Sequence, residues 1–158
     1  GVQTCALPIS ACRASLFIEA IVEQHEPKVK LFRELAAIND ASAIFASNTS
    51  SLSITRLQEL LPHPERVAGM HFFNPAPAMK LVEVVQGRHT SDRVVQTLVQ
   101  YCRRMQKVPV VCKDAPGFIV NRVARHYYLE AMRLVESGVA TIETVDAIME
   151  STGSMSDP

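Results

Sequence analysis

Two residues in this sequence, His71 and Glu83, have the side chains and the setting to move a proton together. His71 falls near the C-terminal end of the apolar run Val67–Phe73, which reads as a strand. Open α/β sheets present groups to ligands at such strand ends. By position alone, a histidine there serves equally well as a structural or surface residue. Glu83 lies within KLVEVVQ, where Leu81 and Val85 flank it on one face and Val82 and Val84 fill the other. Apolar residues on both faces predict a buried strand. A carboxylate buried there is costly unless it is paired. An imidazole from a neighbouring strand is a suitable partner, because the carboxylate fixes its tautomer and stabilises its protonated form. The competing arrangement is an edge strand whose Glu83 faces water.

Other polar residues follow predicted strands and belong to the same side of a sheet. Asn48-Thr49-Ser50-Ser51 follows the strand Ala43–Ser47, and Asn74-Pro75 follows the His71 strand. Asn121 lies in the first turns of a long helix, where an amide is either used or exposed. Each of these alone could be no more than a cap or turn residue. His25, His63 and His89 sit in polar turns, and His126 stands beside two tyrosines on a helix. No His, Cys, Asp or Glu cluster has metal-ligand spacing, and there is neither a GxSxG elbow nor a phosphate-binding P-loop.

The elements that must position these residues alternate in type. Residues 15–22 are a short apolar strand, and Glu26-Pro27 opens a helix with Val29, Phe32, Leu35, Ala36 and Ile38 on one face. The strand at 43–47 leads to a helix capped by Ser53 and stopped by Pro62. Strands at 67–73 and 80–86 follow, then a helix capped by Thr90 or Ser91 that runs to about Met105, then a strand at 107–112. Such alternation predicts βαβ units and a mainly parallel sheet covered on both sides. After Asp114-Ala-Pro-Gly the pattern turns wholly helical, over 117–137, with Gly138 as a C-cap, and over 141–150. The reading is an α/β domain over residues 15–113, with a helical domain beginning in residues 114–158.

Composition excludes several classes. The chain of 158 residues is 47% hydrophobic and 20% charged, as expected of a soluble globular protein. Sixteen basic and sixteen acidic residues cancel, which argues against nucleic-acid or anionic-membrane partners. The absence of Trp also disfavours a base-stacking surface. Cysteines at 5, 12, 102 and 112 form no CxxC pair and read as free thiols of a reducing, cytoplasmic compartment. No apolar run approaches the roughly 20 residues of a membrane helix. Both ends look cut. GVQTCALPIS does not join the pattern after it and resembles a translated sequencing adapter, so residues 1–14 are read as non-native or disordered. STGSMSDP stops without a closing element.

Residues 15 to about 150 resemble the 3-hydroxyacyl-CoA dehydrogenase family, including its 3-hydroxybutyryl-CoA members. The resemblance is carried by HFFNPAPAMKLVEVVQG from His71, DAPGFIVNRV from Asp114, SNTSSLSI from Ser47 and, more weakly, IEAIVEQ from Ile18, in the family's order and spacing. It implies the second part of a doubly wound, Rossmann-like NAD-binding domain followed by the start of an all-helical C-terminal domain for substrate and dimerisation. It implies that the parent protein oxidises 3-hydroxyacyl-CoA to 3-ketoacyl-CoA with NAD in fatty-acid metabolism, as a homodimer. His71 would be the general base and Glu83 its partner carboxylate. Ser50 would bond the reacting oxygen, and Asn121 would steady charge on the acyl-CoA. Glu23, Lys28, Asn48 and Asn74 would lie at the cofactor. The family's GxGxxG loop, which holds the pyrophosphate, has no counterpart among the six glycines, so the 158-residue chain by itself is expected to be inactive. The alternatives are a catalytically retired structural or binding member of the family, or a β-hydroxyacid dehydrogenase acting on a substrate without CoA.

Overall fold

Short strands that are apolar on both faces need helices above and below them, and connections long enough for a helix favour parallel neighbours. The computed structural model describes residues 12–151, which fall into two units, one ending at Ile119 and one starting at Val120. In the first unit, β1 (Leu16–Glu19), β2 (Ile44–Ser47), β3 (Val67–Phe72), β4 (Leu81–Gln86) and β5 (Val108–Lys113) form one sheet in sequential order. Helix α1 (His25–Ile38) joins β1 to β2, α2 (Ile54–Glu59) joins β2 to β3, and α3 (Asp92–Arg104) joins β4 to β5. Those three strand pairs are parallel. Between β3 and β4 there is no helix, and that pair is antiparallel.

The pleat sends alternate side chains to two cores. Phe45, Val67 and Val85 pack with Val29 and Phe32 of α1 and with Ile54 and Leu57 of α2. Ile44, Ala46, Ala68, Met70, Val82 and Val84 pack with the α3 residues Val94, Val95, Leu98 and Cys102. The α3 face is the one expected, and Ser91 is its cap, accepting from the Val94 amide. Ser53 caps α2 by accepting from the Arg56 amide.

Three boundaries differ from expectation for local reasons. Strand β1 stops at Glu19 because that carboxylate takes the Ile21 amide at 2.6 Å and turns the chain out of the ladder. Helix α2 ends at Glu59, and a 3-10 turn at Pro64–Arg66 is held by the buried Gln58 amide, which donates to the carbonyls of Pro64 and Val67. The long helix begins at Val120 rather than 117, because Gly117 (φ 73°) and Phe118 (φ 47°) reverse the chain first.

The second unit contains α4 (Val120–Glu136) and α5 (Ile142–Ser151), and neither helix has a buried residue. Gly138 ends the α4 segment with a φ of 71°, a conformation that costs glycine little. Cys102 and Cys112 are free as expected, whereas Cys12 is disulfide-bonded, contrary to the free-thiol expectation. The readings for residues 1–11 and 152–158 lie outside the described residues.

Candidate active site

The antiparallel ladder sets His71 directly opposite Glu83. His71 Nδ1 lies 2.8 Å from Glu83 Oε2, with 7% and 1% of the two side chains exposed. The edge-strand alternative for Glu83 is therefore not what is observed. The second oxygen, Oε1, accepts from the Ile119 amide at 2.9 Å, so the buried carboxylate is satisfied on both sides. An ionised carboxylate can only accept, which places the ring proton on Nδ1 and leaves Nε2 as the basic nitrogen of the neutral imidazole.

Two aromatic rings hold the imidazole in place. The Phe73 centroid is 4.5 Å from that of His71, and the Phe118 centroid is 5.7 Å away in an edge-on contact. Phe118 is 4% exposed and reaches the ring through the reversal at Gly117. That reversal also delivers the Ile119 amide to Glu83. Sequence reasoning missed both phenylalanines. The available signal was an aromatic residue close to each of two motifs, HFF and PGF.

A second polar cluster forms where β1 and β2 end. Glu19 and Ser47 are register partners, and Glu19 Oε2 accepts from the Ser47 hydroxyl at 2.7 Å. Glu19 Oε1 lies 2.6 Å from Lys28 Nζ, with 1% of each side chain exposed. Lys28 Nζ is also 3.3 Å from Glu23 Oε2. Glu23 Oε1 accepts from the Thr49 hydroxyl and from the amides of Ser50 (2.9 Å) and Ser51 (3.2 Å). Burial alone would raise the Glu23 carboxyl. The bonds from Thr49 and Ser50 and the charge of Lys28 outweigh that effect and hold it below its ordinary value. Glu19 was not singled out from sequence, and Thr49 only as one member of the polar run Asn48-Thr49-Ser50-Ser51. Glu19 is one acidic residue in an otherwise apolar strand, and that was the signal available.

Of the residues expected from sequence, the structure brings His71 to Glu83, and Glu23 to Lys28 and the Ser50 loop. Asn48 bridges the two groups, its Oδ1 accepting from the Phe72 amide at 2.8 Å, one residue beyond His71. Asn74 is exposed and precedes Pro75 through a cis peptide bond. Asn121 lies in the first turn of α4, in the second unit.

The residues present fit one end of a dinucleotide. Glu23, 37% exposed, can accept from sugar hydroxyls, and the exposed Asn74 amide can both donate and accept. The pyrophosphate end has no glycine loop here, and the first turn of α1 carries Glu26 and no side-chain cap, the wrong charge for a phosphate at a helix N-terminus. Among the described residues no group of three or more His, Cys, Asp or Glu could hold a metal ion, and no helix is long and apolar enough to cross a membrane. A polar hollow of about 240 Å³ lies elsewhere, lined by Thr55, Gln86, Gly87, Arg88, Lys113 and Asp114. It includes none of the residues above.

Comparison with known proteins gives concordant matches. Residues 2–115 match the family described as 3-hydroxyacyl-CoA dehydrogenase, NAD binding domain, and residues 117–156 match the C-terminal domain of the same family. The chain is 51% identical over 136 residues to 3-hydroxyadipyl-CoA dehydrogenase of Escherichia coli (strain K12), covering 86% of this chain and 29% of that protein. It is 48% identical over 135 residues to the mitochondrial hydroxyacyl-coenzyme A dehydrogenase of Mus musculus, covering 85% of this chain and 43% of that one. The crystal structure of 3-hydroxybutyryl-CoA dehydrogenase from Escherichia coli K12 superposes with a TM-score of 0.82 at 51% identity, over 86% of this chain and 29% of that chain. The chain thus spans less than half the length of the curated relatives it matches.

Proposed function

The chain belongs to the 3-hydroxyacyl-CoA dehydrogenase family, and from that premise we propose that the whole protein oxidises a 3-hydroxyacyl-CoA to the 3-ketoacyl-CoA with NAD in fatty-acid oxidation. The observation that carries this reading is the buried His71–Glu83 pair at 2.8 Å. Nε2 of His71 takes the proton of the substrate's 3-hydroxyl as its general base. Glu83, acceptor for Nδ1–H, holds the ring and stabilises the imidazolium that results. Bound NAD supplies the acceptor for the hydride leaving C3. Phe73 and Phe118 keep the imidazole in one orientation, so that the proton passes along a fixed line.

Ser50 bonds the reacting oxygen in this reading, and Asn121 donates to the developing charge on the acyl-CoA. Glu23, Lys28, Asn48 and Asn74 line the cofactor side. Residues 15–113 supply the later part of the NAD-binding domain, and residues from 114 onward begin the helical domain through which two copies pair. A cytoplasmic location belongs to the same reading, with a relative named as mitochondrial offering a mitochondrial location as its rival.

Turnover of acetoacetyl-CoA with NADH by the full-length protein tests it. His71→Ala should lower turnover by about 10²–10⁴-fold, and equal turnover by that variant would overturn the assignment. The 158-residue chain alone should show no turnover.

A further inference from the structure

We propose that Glu19 is a positioning residue for the Ser50 loop, acting through Ser47 on one side and through Lys28 and Glu23 on the other. The proposal rests on the reading above, in which Ser50 meets the substrate, and goes beyond it by giving that loop a cause for its shape.

The loop needs one. Asn48-Thr49-Ser50-Ser51 contains no apolar side chain to anchor it, and Ser50 and Ser51 are exposed. Instead, three donors from consecutive residues, the Thr49 hydroxyl and the amides of Ser50 and Ser51, converge on a single oxygen of Glu23. A carboxylate on a loop would ordinarily swing between rotamers. Here its other oxygen faces the Lys28 ammonium at 3.3 Å. Lys28 in turn cannot move, because its ammonium is buried against Glu19 Oε1 and donates to the Ile21 carbonyl.

Glu19 is thus the fixed end of two arms. The direct arm runs to the Ser47 hydroxyl, on the last residue of β2, immediately before the loop. The indirect arm runs through Lys28 and Glu23 to the loop's own backbone. An ion pair with 1% exposure on both members is a poor source of net stability, and its best-attested use is to fix register.

The test uses Glu23→Ala and the neutral pair Glu19→Gln with Lys28→Met, which avoids leaving one buried charge alone. Amide hydrogen exchange in this chain is the first readout. Protection at Ser50 and Ser51 should fall about tenfold or more in both variants, with protection at Val84 and Leu98 unchanged as evidence of an intact sheet. In the full-length protein the same variants should lower kcat about tenfold. Unchanged protection at Ser50 and Ser51 overturns the proposal. So does an unchanged kcat of these variants in the full-length protein. Should the unaltered full-length protein show no turnover, the proposed function fails, and the exchange measurement alone decides the positioning role.

Discussion

Gly69 and Val85 face each other across the β3–β4 ladder so closely that a Cβ on Gly69 would lie 2.7 Å from the Val85 Cβ. The same added atom would lie 3.1 Å from Ile54 Cδ1 of α2. Neither neighbour can yield easily, since Val85 and Ile54 are fully buried. Two residues along the same ladder stands the His71–Glu83 pair. Gly69→Ala should therefore cost about 1–3 kcal/mol by overpacking, read as a lower midpoint in urea, and should loosen the pair beside it. A midpoint equal to that of the unaltered chain would contradict the close approach.

Glu83→Gln keeps the shape of the side chain and removes its charge. In the full-length protein it should lower kcat by about 10²-fold, because the imidazolium formed in the reaction loses its counter-charge. KM for the acyl-CoA should stay near its original value, since Glu83 is buried beneath His71. Steady-state kinetics on both substrates would separate these outcomes, and a change confined to KM would place Glu83 in binding instead.

Acid should release the Ser50 loop before it unfolds the sheet. The Glu23 carboxyl is held below its ordinary value of 4.5 by the bonds from Thr49 and Ser50 and by Lys28, against the opposing effect of burial. A lowered acid stabilises the folded form fully above its unfolded value and loses that contribution as pH falls through the lower folded one. Protection of the Ser50 and Ser51 amides, followed downward from pH 4.5, should collapse in the unaltered chain. In Glu23→Gln the same profile should be flat, and a matching collapse there would assign the titration to another group.

Cys112 reports on the same site chemically. Burial first, then the negative charges of Glu83 and Asp114, push its thiol from 9.0 up to about 11. Only the thiolate reacts, so alkylation near neutral pH should run about 100-fold slower than for an unperturbed thiol. Glu83→Gln removes one of the charges and should speed alkylation of Cys112 but not of Cys102, whose thiol is raised to about 11 by burial alone. Equal rates for Cys112 in the two proteins would show that the Glu83 charge does not reach it.

The His71–Glu83 pair was legible because a glutamate amid four apolar neighbours has to be satisfied, and one histidine stood at the adjoining strand end. The α3 cap and inner face were legible for similar reasons, as both follow from spacing along one helix. The stop of β1 was not, since it depends on what the Glu19 carboxylate does after the strand has formed. Phe118 was also out of reach. Its contact with His71 requires the backbone reversal at Gly117, and a Pro-Gly pair announces a turn without stating where the chain goes next. The mainly parallel sheet was expected, while the one antiparallel pair within it follows from a helix-free connection that no periodicity marks.

That reversed pair has an entropic consequence. His71 and Glu83 are 12 residues apart in the chain, whereas the bond from Ser53 to Asp114 closes 61. Loop closure scales with the logarithm of length, so drawing the pair together costs roughly 1.4 kcal/mol less than the longer closure. The His71–Glu83 pair is thus a short-range product of its own hairpin-like segment. The contacts that refine it, from Asn48 on one side and Phe118 on the other, are drawn from distant stretches of chain and can be added to it afterwards.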